Sequence, residues 1–493
     1  MDVSSTATPC DTGATFRSGL ECGDRTPLNT LILFIALHGW PAPAWVPPGR
    51  AVAAVTRLFA AISIFALEMQ VATWLSIATI RSVVALNVAV ALVSAAVYVA
   101  RTLRVREASL QGSPHKPPRQ SAAYILGICV LAAGVLVLNA MRPVLAADPY
   151  HLDRMAQIER LGTIGYDPAA EPKVNSFGWT YELVLADLVQ IPYAGPVLLR
   201  FHGLLGLSTY LLAILAAGTW LPPSRGWYLT ALLVVPVVFH QLVLIKNDLF
   251  GAVPAIVVLT WLVMRSAVAT PKEIGWAAWL CGFAIAVKVT SAPMALVLAG
   301  TLLIQRADRG AVARAGVIGG LVGLMCGGFF FTLVENFRMY GSPVTAFKES
   351  GAMGNRNETA SQAAISIVRF LVSLFDLGQI TRVVWPGRGG WGATFGLPFI
   401  WALAVLISYR RRLEVRRALW IAAIYMLVFA AMYTDADIAH RLILGPGLLL
   451  ILVAVSILED DDRRAGVLQT SLYAVIVLSV LQIARSATLY LRS

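Results

Sequence analysis

Charge is scarce in this 493-residue chain: 13% of its residues are Asp, Glu, Lys or Arg, against 58% hydrophobic ones. One soluble core cannot absorb so much apolar surface, and a mean hydropathy of +0.72 excludes a disordered chain as well as an ordinary soluble enzyme. Cysteine is scarce too. Of the five, Cys129, Cys281 and Cys326 fall within apolar segments while Cys10 and Cys22 lie in a Thr/Ser/Gly-rich start, so neither a disulfide framework nor a CxxC metal spacing is present. Acidic residues number 27 against 39 basic ones, a formal charge of +12. Nucleic acid is the first partner such an excess suggests, but the Lys and Arg lie in short loops between apolar runs rather than along one basic face, which argues against it. Residues 1–28 lack the basic-then-apolar order of a cleaved leader and read as a disordered tail.

What the chain has in abundance is apolar runs of about 20 residues, the length that spans a bilayer. They cover roughly 51–79, 82–100, 121–142, 197–220, 227–244, 249–265, 274–287, 289–304, 312–333, 395–408, 417–433, 441–458 and 467–490. A shorter stretch, 29–46, is broken by "GWPAPAW" and reads as re-entrant or interfacial. The expectation is an all-α polytopic membrane protein, with a single transmembrane domain over 29–490 made of about 12–14 helices.

Topology follows from the basic loops. The segment "RTLRVREASLQGSPHKPPRQ" carries Arg101, Arg104, Arg106, Lys116 and Arg119, and the positive-inside rule places it in the cytoplasm. Walking the spans from there puts "RSAVATPKE", "QRADRGAVAR" and "YRRRLEVRR" on the same side without forcing. The opposite face then carries two long polar segments, 143–196 and 334–394, expected to hold short amphipathic helices. The reading is a multi-pass inner (plasma) membrane protein whose functional face is extracytoplasmic.

The first of those segments opens with "AADPYHLDRMAQIERLGTIGYD". Asp148-Pro149 is a helix start, because an Asp N-cap accepts a backbone N–H bond and Pro suits the first helical position. Leu152, Met155, Ile158 and Leu161 then recur at helical spacing with Asp153, Arg154, Gln157 and Arg160 between them, as on an amphipathic helix at a membrane surface. Asp148 and His151 share a face, and Asp153 points elsewhere. Asp148 is either only a cap or a general base acting on a substrate hydroxyl. His151 as a metal ligand has no second histidine near it in sequence.

Other charges sit where charge is expensive, about 2.5–3.5 kcal/mol at a helix centre and less near the interface. Lys246, Asp248, Lys288, His440 and Arg441 all map to the outer face with Asp148. Cations gathered opposite a carboxylate suggest an anionic head group, most naturally a phosphate. The plainer reading is a local pair or snorkelling. Arg57 and Glu68, within the first long run, read as an intramembrane pair or as interface residues. Tyr150, Trp179, Tyr181 and Glu182 are candidates for contact with an acceptor or a sugar. Trp179 and Tyr181, with Trp385 and Trp391, could stack on sugars, though aromatics near an interface are more often membrane anchors. "TDAD" at 434–437 has a metal-site spelling and otherwise reads as a solvated loop.

A resemblance enters on these residues. "DPYHLDRMAQIERLG", "NSFGWTYELV", "KNDLFGAVPAIVV", "AIAVKVTSAPMAL", "ENFRMYGSPVTAF" and "HRLILGPGLLL" occur in the order typical of bacterial polyprenyl-phosphate-dependent glycosyltransferases of the GT-C class. The chain resembles the branch related to protein O-mannosyltransferases and aminoarabinose transferases, over roughly residues 121–460. Members often carry D-x-x-x-Y-H-L-P, K-T-D-L, G-T-K-x-T and R-Y-x-L-P at these places.

The resemblance implies a GT-C-like bundle and transfer of a sugar from a polyprenyl-phosphate donor to an acceptor hydroxyl by inverting displacement. It makes Asp148 the base, with Asp153 as the other candidate and His151 beside them in the catalytic set. Lys246, Asp248, Lys288 and Arg441, the last beside His440, become contacts for the donor phosphate. This chain departs from the pattern in three places: the spacing after Asp148 is one residue short, Asp153 stands where members have proline, and Leu442 stands where they have tyrosine. A divalent metal is optional, since Lys and Arg can supply the positive charge and no DxD occurs in the first loop. A transporter or flippase would also show many helices with embedded charges, but these charges gather at one face rather than at the midplane. An O-antigen-ligase-like transferase is the remaining alternative.

Overall fold

The computed structural model describes residues 50–77, most of 85–100, parts of 129–137, residues 151 and 154, and 180–183, 202–220, 231–243, 247–265, 268–304, 309–343, 360–375, 395–432, 442–460 and 465–492. Among them the architecture is helical without a strand. The elements are α1 (Arg50–Trp74), α2 (His202–Gly218), α3 (Pro236–Val243), α4 (Asp248–Met264), α5 (Pro271–Val287), a 3-10 turn (Val289–Ser291), α6 (Ala292–Ile304), α7 (Arg309–Cys326), α8 (Phe329–Tyr340), α9 (Ala360–Ser373), α10 (Gly396–Ser408), α11 (Leu413–Met432), α12 (Leu444–Asp460) and α13 (Ala465–Arg492). Among the described residues, two helices, within α1 and α13, are long and apolar enough to cross a membrane; α7 with α8, bent by 58°, makes a third if the pair is one span.

Helix α4 is the hub. It packs against α2, α5, α11 and α12, and every residue from Asp248 to Val263 is buried. Apolar residues on all sides of its axis leave no polar face to turn outward, so the other helices close around it. α5 begins with a capping box: the Thr270 side chain accepts from the Glu273 backbone N–H, and Glu273 accepts from the Thr270 backbone N–H. α5 and α7 run side by side in the same direction, Gly275 against Gly319 and Gly282 against Gly320. At these contacts the backbones touch, because glycine brings no Cβ between them.

Two runs expected to be continuous are broken. The run 227–244 is interrupted at Pro236, which lacks the N–H that would continue the ladder and instead opens α3. The run 312–333 stops at Gly327-Gly328, where Gly328 takes a left-handed conformation (φ 78°) that other residues adopt only with strain. The turn expected between 274–287 and 289–304 is present. Lys288 caps α5 in extended backbone and the 3-10 turn leads into α6. The end of α5, the start of α4, the Gln70 end of α1 and the break after α7 share one end of the bundle, tied by Lys288–Asp248 and Gln70–Cys326 contacts.

Candidate functional site

At that end, Asp248 opens α4, where a carboxylate is favoured by the unpaired N–H groups of the first turn. Its side chain is 1% exposed, and the Lys288 ammonium, 21% exposed, forms an ion pair with it. Lys288 Nζ also donates to Asn247 Oδ1 at 3.4 Å, and Asn247 Nδ2 reaches the Val287 carbonyl at 3.5 Å. The cation therefore sits at the rim with its carboxylate beneath it. Three residues from the starts and ends of two helices hold it there.

Beside this node lies a second, fully buried cluster. His151 and Arg154 are three residues apart in helical backbone and so share a face. Both reach Glu182 Oε1: His151 Nδ1 at 2.6 Å and Arg154 Nη1 at 3.1 Å. Burial raises the Glu182 carboxyl, but the Arg154 and His151 charges and the His151 hydrogen bond outweigh it, leaving it below the usual carboxylate range. Glu182 is therefore the ionised member, and His151 Nδ1 carries the proton between them. Burial, reinforced by Glu182, pushes the neighbouring Tyr181 hydroxyl well above its ordinary value, which keeps it neutral.

Aromatic rings join the two groups. The Tyr181 ring meets His151 edge-on at 5.4 Å and Phe250 at 5.7 Å, and Phe250 lies two residues beyond Asp248. A main-chain anchor adds to this. The break after α7 leaves carbonyls that a continuous helix would satisfy internally. Gln70 Nε2 donates to Cys326 O at 3.4 Å, and the Thr180 hydroxyl donates to Gly327 O. The turn bearing Tyr181 and Glu182 thus hangs from the helix break.

Of the residues singled out from sequence, His151, Tyr181, Glu182, Asp248 and Lys288 are brought to one end of the bundle. Asp148, Tyr150, Asp153, Trp179, Lys246, His440 and Arg441 lie outside the described residues, as does "TDAD". Arg154, read as part of a polar helix face, is instead 0% exposed against Glu182. Arg57 and Glu68 cannot pair with each other, because eleven residues of α1 separate them by about 16 Å. Asn247, Thr180 and Gln70 had no sequence signal beyond Asn247 lying inside "KND". Among the described residues, no three His, Cys, Asp or Glu side chains are grouped to hold a metal ion.

Comparison of the chain with protein-family models, curated proteins and solved structures finds no match. The functional reading therefore rests on the residues themselves.

The state of Glu182 sets a pH expectation. A carboxyl lowered in the folded protein contributes stability above its unfolded value, about 4.3, and loses it as the pH falls through the folded value. Protection of the 143–196 segment from protease should be flat from about pH 8 to pH 5 and fall only in stronger acid. Loss centred between about pH 6 and 7 would mean that Glu182 is not the charge that holds the cluster.

Proposed function

We propose that the protein is a membrane glycosyltransferase that moves a sugar from a polyprenyl-phosphate donor to an acceptor hydroxyl at the extracytoplasmic face, by inverting displacement. The observation that carries this is the partly exposed Lys288, held by Asp248 and Asn247 at the same bundle end as the His151–Glu182–Arg154 cluster. In such a transfer the leaving phosphate departs without a proton and needs a cation, while the acceptor hydroxyl needs a carboxylate to take its proton. Lys288 supplies the first. Asp148, three residues before His151 in sequence, supplies the second, with Asp153 as its alternative. The buried cluster is the part that fixes the segment carrying them.

This reading includes a polytopic GT-C-like bundle in the inner membrane, with 143–196 and 334–394 outside. The outward faces of the helices support it: Val317 on α7 is 62% exposed, Trp420 on α11 69% and Val467 on α13 80%. Side chains of this kind are stable against lipid and poorly placed against water. The apolar helices α4 and α12, of 17 residues each, are buried along almost their whole length, while α10 turns Ile407 outward.

Lys288→Gln should weaken binding of a short-chain polyprenyl-phosphate sugar about ten-fold, the loss of one charge-assisted contact. Unchanged donor affinity in both Lys288→Gln and Arg441→Gln would refute the phosphate role. Asp148→Asn keeps most of the N-capping ability, so it separates cap from base. As the base, Asp148→Asn should lower turnover by about 10² or more with donor still bound. If Asp148→Asn stays active while Asp153→Asn is dead, the base is Asp153. If both stay active, the opening stretch is not the catalytic centre and the base lies elsewhere.

A further inference from the structure

The opposite end of the bundle holds a second feature. The last turn of α4, the middle of α6 and the first three turns of α11 line a groove of about 820 Å3, within the roughly 300–1,000 Å3 of ligand pockets. Its wall is apolar, with Leu296 and Ile421 among its residues, and its rim carries Arg265, Arg416 and Arg417. Trp420, exposed one turn beyond the arginines, stands where an interfacial anchor belongs.

Two of the arginines are held in place. Arg417 Nη1 donates to the carbonyls of Arg265 at 2.8 Å and Val263 at 3.4 Å, the last acceptors of α4. The Arg265 guanidinium lies over the Trp261 ring, 4.8 Å from its centroid. Arg265 is half-buried and lies close enough to Arg417 to be repelled by it, with Glu273 acting in the opposite sense. An anion placed between the arginines would relieve that repulsion. Arg265 follows Asp248 by seventeen residues along one helix axis, about 25 Å, so this groove and the Lys288 site are separate.

We propose that the groove binds one anionic phospholipid of the cytoplasmic leaflet, its headgroup phosphate on Arg265, Arg416 and Arg417 and an acyl chain along Leu296 and Ile421. Cationic rim above apolar wall is the complement of a phosphate above a hydrocarbon chain. The rim arginines belong to "RSAVATPKE" and "YRRRLEVRR", two of the loops that the positive-inside rule assigns to the cytoplasm, where anionic lipids concentrate. The inference rests on residence in a membrane and not on the transferase reading.

The test is native mass spectrometry of the full chain in a neutral detergent with phosphatidylglycerol, phosphatidylcholine or inorganic phosphate added. One phosphatidylglycerol should be retained in preference to phosphatidylcholine, and phosphate alone should not displace it. The double variant Arg265→Gln/Arg416→Gln should weaken retention about ten-fold or more. Arg417 is left in place because it caps α4. Gly300→Leu fills the groove without touching a charge, since a Cβ at Gly300 has nothing within 4 Å, and should weaken retention similarly. Equal retention of both lipids would overturn the proposal. So would displacement by phosphate, or unchanged retention in both variants.

Discussion

Glu182→Ala should destabilise the docking of the 143–196 segment by about 3–5 kcal/mol, the effect of removing one partner from a buried ion pair. Arg154 is 0% exposed and Glu182 accepts from it and from His151, so alanine would strand a guanidinium in an apolar setting. The bundle itself keeps its helix contacts. The expected signature is thus local: faster proteolysis within 143–196 while α4, α5 and α7 stay protected. Converting the pair to apolar residues, Glu182→Leu with Arg154→Met, should recover part of the loss, because no unpaired charge is left behind. If the single and double variants were cleaved at the same rate, the pair would not be what holds the segment.

Gly323→Leu should lower stability by about 3 kcal/mol or more, the upper end of overpacking, because the obstacle is main chain that cannot rotate away. A Cβ at Gly323 would run into the carbonyl oxygen of Trp279 on α5, and Gly319 faces the carbonyl of Gly275 in the same way. Gly300→Ala on α6 is the control, since its Cβ meets nothing and alanine is favoured in a helix by about 0.5–1 kcal/mol. Denaturation by SDS in mixed micelles should move in opposite directions for the two variants. Equal midpoints would mean that α5 and α7 do not meet backbone to backbone.

The helices were the legible part. Runs set at 249–265 and 395–408 correspond to Asp248–Met264 and Gly396–Ser408, because a buried helix is simply an uninterrupted apolar length. Breaks were harder. Pro236 and Gly327-Gly328 stand openly in the sequence, yet proline and glycine are tolerated inside buried helices, as Pro254 is inside α4. Lys288 and Asp248 were legible as charges out of place, since each interrupts an apolar run. Arg154 was not. Its partner lies 28 residues away on a separate turn, and spacing reports only neighbours on the same helix. The same limit made Arg57 and Glu68 look like a pair, when α1 keeps them some three turns apart.

The acceptors at the helix break, Cys326 O for Gln70 and Gly327 O for Thr180, belong to peptide groups rather than to side chains, and this divides the neighbourhood into replaceable and irreplaceable positions. Cys326 can change freely toward alanine or serine, since its carbonyl stays whatever its side chain is. Gly327 and Gly328 cannot follow: a Cβ on the first collides with that of Ala286, and the second holds a positive φ. A survey of tolerated substitutions would therefore find the cysteine variable beside its fixed donor Gln70 and ahead of two fixed glycines, the first of them bonded by a fixed Thr180. Variation at the middle of an anchor, with invariance all around it, is the imprint that a main-chain attachment leaves on a sequence.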